Sequence, residues 1–262
     1  MARQSAGRYL WIKTPAAPES TYPVTPQSLG AMVEQLYSEY PELYDAIQSE
    51  WDYDRDVAFV TERLDARELA GTELLEVGCG TGEHTKRFVD AGFDVTAVEP
   101  NEGMLSLARE KTDATFHTDG LPGFDIGREF DVILAIRGVI NHLVPGELGP
   151  AIETLETHLA PGGVLVFDNS PLPPEGNEAA LDVGTYKHGQ YARVVQMTPI
   201  DTGQLSWDSL VFTPDGEFFI DSYDMTPFED VTIAATLSQH GLAVETVAGY
   251  GPDDSRTVFV AG

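Results

Sequence analysis

The stretch Leu74-Leu75-Glu76-Val77-Gly78-Cys79-Gly80-Thr81-Gly82 constrains this chain more than any other. An apolar run suited to a strand ends in a loop with glycines at alternate positions, and a helix-like segment follows from Glu83. Glycines of this kind let backbone pass close to a ligand where a Cβ would collide. Strand, glycine turn and helix together present free backbone N–H groups to an anionic or polar cofactor. A phosphate-cradling P-loop needs a Lys-Ser/Thr pair after its last glycine, and here Gly82 is followed by Glu83-His84, so that reading fails. A dinucleotide fingerprint needs a small residue at position 83. Glu83 stands there instead and weighs against that reading without closing it.

A second apolar run, Asp94-Val95-Thr96-Ala97-Val98, ends in Glu99-Pro100, with Glu99 falling 17 positions after Gly82. A carboxylate at the end of the adjacent parallel strand can accept from both hydroxyls of a ribose and repels a 2′-phosphate, so NADP is disfavoured. The alternative is that Glu99 caps the helix starting near Asn101.

With these residues the chain resembles the class I S-adenosylmethionine-dependent methyltransferases. Glu76 to Gly82 is similar to that family's first motif, E/D-x-G-x-G-x-G, and Glu99 occupies its ribose-binding acidic position. Asp119, in His117-Thr118-Asp119-Gly120, resembles the acid that contacts the adenine amine. Phe130 to Ile136 and Leu159-Ala160-Pro161-Gly162-Gly163-Val164-Leu165-Val166-Phe167 resemble its fourth strand and its L-x-P-G-G turn with the fifth. The resemblance covers roughly residues 70–170. It implies S-adenosyl-L-methionine as cofactor, S-adenosyl-L-homocysteine as product, and a cofactor set of Glu76, Gly78, Cys79, Gly80, Gly82, Glu99, Pro100, Met104, Thr118, Asp119 and Gly120. Glu42 to Ile47 and Gly138-Val139-Ile140-Asn141-His142-Leu143 look more loosely like small-molecule N-methyltransferases, amino-sugar N,N-dimethyltransferases among them. The long N-terminal lead and the acidity depart from that group's pattern.

The 262 residues carry 43 acidic against 15 basic side chains, a net charge of −28, with lysine only at positions 13, 86, 111 and 187. Such a surface repels itself at ordinary salt, whereas a Debye length of ~3 Å in molar salt removes most of the penalty. A salt-adapted, haloarchaeal-type protein is expected. The same charge argues against nucleic-acid partners, which require clustered Lys and Arg. No apolar run approaches the ~20 residues of a membrane span. Trp11-Ile12 is followed at once by Lys13, so no secretion signal is read, and the lone Cys79 allows no internal disulfide. A cytoplasmic protein acting on a small molecule is the expectation.

Alternating strands near 73–77, 94–99, 114–118, 130–136 and 163–168 with helices near 83–91, 102–111 and 146–159 predict an α/β fold. The expected architecture is a doubly wound, mostly parallel seven-stranded sheet, with ligands at the strands' carboxyl ends. Residues 1–24 read as an irregular lead. Residues 25–69 read as a helical lid: a first helix entered at Pro26-Gln27-Ser28, with Met32, Leu36 and Tyr40 at helical spacing, then helices from Glu42 to Glu50 and from Asp54 to Leu69. Residues 70–170 and 226–262 read as the cofactor-binding core, closed by a terminal hairpin at 243–249 and 256–261. Residues 171–225 read as an antiparallel β insertion with segments near 184–198, 204–213 and 216–224, broken by Asp201-Thr202-Gly203 and Pro214-Asp215-Gly216. The insertion is expected to close over substrate or to join two copies in a homodimer.

Methyl transfer needs nucleophile, carbon and sulfur held in line, and an amine must be neutral when it attacks. His142, after the fourth strand, is the candidate base, with a structural histidine as the alternative. Tyr44 is a candidate for contacting cofactor or substrate from the lid, with a core aromatic as the alternative. Tyr37, Tyr40, Trp51 and Tyr53 are candidates for a cation- or ring-binding pocket, and Arg137 for pairing a substrate carboxylate. No metal is expected, because Asp168-Asn169 stands alone. Two other functions remain: an NAD-dependent oxidoreductase on the same sheet order, and a catalytically silent S-adenosylmethionine-binding regulatory protein.

Overall fold

The computed structural model describes residues 34–67, 71–251 and 254–262. The 1–24 lead and the start of the first lid helix, with its Ser28 signal, lie outside the described residues. From Glu34 the lid runs through a one-turn helix α1 (Gln35–Ser38), α2 (Pro41–Ile47), which Pro41 opens at its first position, and α3 (Tyr53–Ala66).

The core follows: β1 (Glu73–Val77), α4 (Glu83–Asp90), β2 (Asp94–Val98), α5 (Glu102–Lys111), β3 (Thr115–His117), β4 (Phe130–Ala135), α6 (Leu148–Thr157) and β5 (Leu159–Asn169). After the insertion come α7 (Asp230–Gln239), β10 (Val244–Ala248) and β11 (Thr257–Ala261). The sheet order is β10-β11-β5-β4-β1-β2-β3, with β11 antiparallel to β5, β10 antiparallel to β11 and the rest parallel. Its strands are apolar on both faces because helices cover both. Leu75, Ile133, Phe167 and Phe259 pack on α6 and α7, while Leu74, Val132, Val166 and Val258 pack on α3 and α4. The Pro161-Gly162-Gly163 turn survives as a bulge: Phe130 pairs with Leu159 and Val132 with Val164, so 160–163 loop out opposite Asp131.

The insertion forms a separate antiparallel sheet of β6 (Ala180–Tyr186), β7 (Gly189–Pro199), β8 (Leu205–Phe212) and β9 (Phe218–Met225). The segment read as one strand at 184–198 is two, folded at Lys187-His188 between the paired Tyr186 and Gly189. Lys187 takes φ +51 and lies 4.8 Å over the Tyr186 ring. A two-residue turn without Gly or Asn gives no sequence signal. One face of this sheet packs Tyr186, Tyr191, Val211 and Phe219 against Leu36 and Leu43 of the lid. The other carries a cross-strand row of Leu181, Val194, Leu210 and Ile220, flanked by Val183, Phe212 and Phe218, all exposed.

Candidate active site

The register of β1 on β2 pairs Val77 with Val98, so both strands end flush and Gly78 comes beside Glu99. The backbone turns sharply there, with the Gly78 N–H donating to the Val98 carbonyl at 2.7 Å. The Glu99 carboxylate bridges the two strand ends: Oε2 accepts the Gly80 N–H at 3.1 Å and Oε1 the Asn101 N–H at 3.0 Å. Burial raises the Glu99 pKa, against the lowering effect of these two donors. The lid is pinned to the turn by a hydrogen bond and an ion-pair bridge: the Thr81 hydroxyl donates to Asp45 of α2, and Lys111 of α5 bridges Asp45 at 2.5 Å and Glu83 at 2.8 Å.

Turn, strand ends and lid enclose a cavity of about 240 Å³. The turn, the strand ends and α5 contribute Gly78, Cys79, Gly80, Glu99, Pro100, Met104, Gly120 and Leu121 to its lining, the lid Tyr37, Tyr44 and Tyr53, and the segment after β4 Arg137 and His142. Carboxylates of Glu34, Glu83, Glu99 and Glu147 border it.

A family model described as a methyltransferase domain matches residues 74–163. The chain is 28% identical over 226 residues, 80% of its own length and 90% of the other's, to dTDP-3-amino-3,4,6-trideoxy-alpha-D-glucopyranose N,N-dimethyltransferase from Streptomyces venezuelae. Among solved structures it is similar to a sugar N-methyltransferase from Streptoalloteichus (TM-score 0.73, 26% identity, 89% of this chain and 96% of that one). It is also similar to an S-adenosylmethionine-bound amino pentose methyltransferase from Micromonospora echinaspora (TM-score 0.71, 27% identity, 84% and 95%). These matches support S-adenosylmethionine-dependent methyltransferase activity, carried by a methyltransferase domain over residues 74–163.

The residues of this methyltransferase fit its cofactor. A Cβ at Gly80, where φ is +55, would meet no atom within 4 Å and would project into open space beside the turn. Each Glu99 oxygen has one lone pair left after the loop bonds, as two ribose hydroxyls require. Pro100, Met104 and Leu121 give an apolar slot beyond it for a flat base. Glu83, at the helix start where a dinucleotide's pyrophosphate would lie, places a carboxylate on the cavity wall and disfavours that cofactor.

Four residues of the expected cofactor set fall outside the lining. Gly82 faces the core instead: an added Cβ would stand 2.9 Å from the Ala108 Cβ, so this glycine, at φ +79, permits α4 to pack on α5. Glu76 points under the turn, buried, accepting the Thr85 hydroxyl at 2.6 Å. Burial, partly opposed by Thr85 and reinforced by the Glu99 charge, pushes its pKa up to about 8. Thr118 is exposed and donates to Glu102 at 3.0 Å. Asp119 is exposed too, its carboxylate accepting the Gly120 N–H at 2.9 Å.

His142 sits in a 3₁₀ turn (Val139–His142) after β4, its ring 5.4 Å from Tyr223 and 6.1 Å from Tyr37. The ring is open to the cavity, and desolvation beneath the lid lowers its pKa to about 4. Among the described residues neither ring nitrogen has a hydrogen-bond partner. Tyr44 lines the cavity edge-on to Tyr37 at 5.5 Å. Tyr40 does not line it and stacks on Phe219 at 4.3 Å, and Trp51 is held by the guanidinium groups of Arg137, Arg256 and Arg55 at 3.9, 4.3 and 5.0 Å. His84 lines the cavity beside the turn with Nε2 3.1 Å from the buried Asp56. Asp168 is already engaged, accepting the N–H groups of Arg137 and Gly138, both at 2.6 Å, and the Tyr250 hydroxyl at 2.8 Å. Glu34, Glu147 and Tyr223 carry no motif: the lid brings Glu34, the insertion brings Tyr223 beside His142, and the 3₁₀ turn Pro145–Glu147 ahead of α6 brings Glu147.

Proposed function

We propose that this methyltransferase transfers a methyl group to the amino nitrogen of a small molecule of the amino-sugar class. The single observation that carries this reading is His142: an imidazole with no hydrogen-bond partner among the described residues, open to an acidic, aromatic pocket beside Tyr37 and Tyr223. The relatives named for amino-sugar N-methylation support the nitrogen acceptor. Acidic walls attract an ammonium, and the tyrosine faces hold it by cation–π attraction. When bound, the cofactor supplies an electrophilic methyl on sulfonium sulfur. His142, uncharged at neutral pH, takes the proton the amine must lose, directly or through one water. Tyr44 closes the pocket from the lid and orients the acceptor. Gly78, Cys79, Gly80, Glu99, Pro100, Met104 and Gly120 hold the cofactor.

The test is a product assay with labelled S-adenosylmethionine and a panel of nucleotide-linked and free sugars bearing either an amine or only hydroxyls. Mono- and dimethylated amines are expected; methylation confined to the hydroxyl sugars would overturn the acceptor.

We further propose that two copies join through the exposed row Leu181, Val194, Leu210 and Ile220, an apolar face that a chain of net charge −28 otherwise has little reason to expose. Light scattering is expected to show a dimer that Ile220→Lys dissociates; a wild-type monomer at micromolar concentration refutes it. The acidity supports a protein adapted to molar salt. No described helix is long and apolar enough to cross a membrane, and a cytoplasmic location is the reading we adopt.

A further inference from the structure

Among the described residues lining the cavity, Arg137 alone carries an obligate positive charge, while four carboxylates share the wall. It follows β4 with φ +68, a left-handed conformation that a non-glycine residue adopts only when its surroundings impose it. The imposing group is Asp168 of β5, whose carboxylate accepts the Arg137 and Gly138 N–H groups and the Tyr250 hydroxyl, the last at 2.8 Å. The guanidinium carbon lies over the Trp51 ring at 3.9 Å, and Nη2 donates to Gln48 at 2.6 Å. Its Nε is buried with no partner. Backbone strain, a cation held over an aromatic ring and an unmet donor thus converge at the cavity.

Strand order places this group opposite Glu99. β4 and β2 flank β1, so their ends lie two strand spacings apart, about 10 Å. S-adenosylmethionine carries hydroxyl donors on its ribose and a carboxylate on its methionyl end. A carboxylate at one side of the turn and a guanidinium at the other match those two ends in sign.

We infer that Arg137 binds the methionyl carboxylate of the cofactor, and that the Asp168-held turn exists to aim it. This rests on the cofactor assignment above. The test compares equilibrium binding of S-adenosylhomocysteine with that of its decarboxylated analogue, which differs only by the carboxylate, at one fixed KCl concentration. The wild type is expected to prefer the carboxylate-bearing ligand by about 10–100-fold. Arg137→Met should bind both equally, at the affinity the wild type shows for the analogue. Arg137→Lys should keep part of the preference, since it retains the charge without the fork. If Arg137→Met does not fold, Arg137→Lys is read in its place, and a preference equal to the wild type's overturns the inference. So does a wild type indifferent to the carboxylate, or an Arg137→Met that loses both ligands equally. A wild type that binds neither ligand strikes the cofactor assignment itself.

Discussion

Glu76→Gln isolates the cost of a buried carboxylate under the cofactor turn. Glu76 is 2% exposed and its one side-chain partner is the Thr85 hydroxyl, which a glutamine oxygen can accept equally well. Its carboxyl titrates at about 8 in the folded protein against an ordinary 4.5. Because the folded state holds this proton more tightly than the unfolded state, folding stability falls as pH rises from 4.5 and the loss is complete near pH 8. At 1.36 kcal/mol per pH unit the penalty is on the order of 4–5 kcal/mol by pH 8, and it vanishes below 4.5. Glutamine keeps the shape and the Thr85 bond and never ionises. Urea unfolding of wild type and variant, at constant KCl and at pH values from 4.5 to 8.5, reads the difference directly. The variant is expected to match the wild type near pH 4.5 and to become progressively more stable than it toward pH 8. A gap that does not change with pH refutes the reasoning, since the charge would then be compensated in the fold.

Glu99→Ala is expected to weaken S-adenosylhomocysteine binding by ~10–100-fold, from loss of charge-assisted hydrogen bonds of about 1.5–3 kcal/mol; an unchanged dissociation constant removes Glu99 from the site. His142, with its pKa lowered to about 4, is already neutral where an ordinary histidine titrates. The kcat profile of the wild type should therefore show no acid limb near pH 6.5, and a limb there that disappears in His142→Asn contradicts the assignment. Lowering the folded pKa of a base means the unfolded state binds the proton first, so the His142 contribution to stability is lost as pH falls from 6.5 toward 4. With 43 acidic and 15 basic residues, the melting temperature should climb with KCl into the molar range. Equal stability in dilute buffer refutes salt adaptation.

The cofactor half of the site is legible in the sequence because it is local. Strands buried on both faces read as continuous apolar runs, and the glycine turn and the acid that ends the next strand must adjoin once β1 and β2 are parallel neighbours. Gly82 and Glu76 belong to the same motif, yet strand alternation and helix packing turn them away from the ligand toward Ala108 and Thr85. Asp119 is legible as a position, but not the bond its carboxylate makes to the Gly120 N–H. The acceptor half is non-local. Tyr223 comes from β9 in the insertion, an ordinary alternating strand by sequence, and reaches His142 only because the lid and insertion fold over the core. Arg137 depends on Asp168, 31 residues on, to hold a backbone conformation that nothing in its own neighbourhood announces.

The most direct measurement is an equilibrium titration of the wild-type protein, in KCl, with S-adenosylhomocysteine and separately with NADH. Saturable binding of the first with no binding of the second is expected from a glycine turn walled by Glu99 and Glu83. Saturable binding of NADH with none of S-adenosylhomocysteine would contradict it.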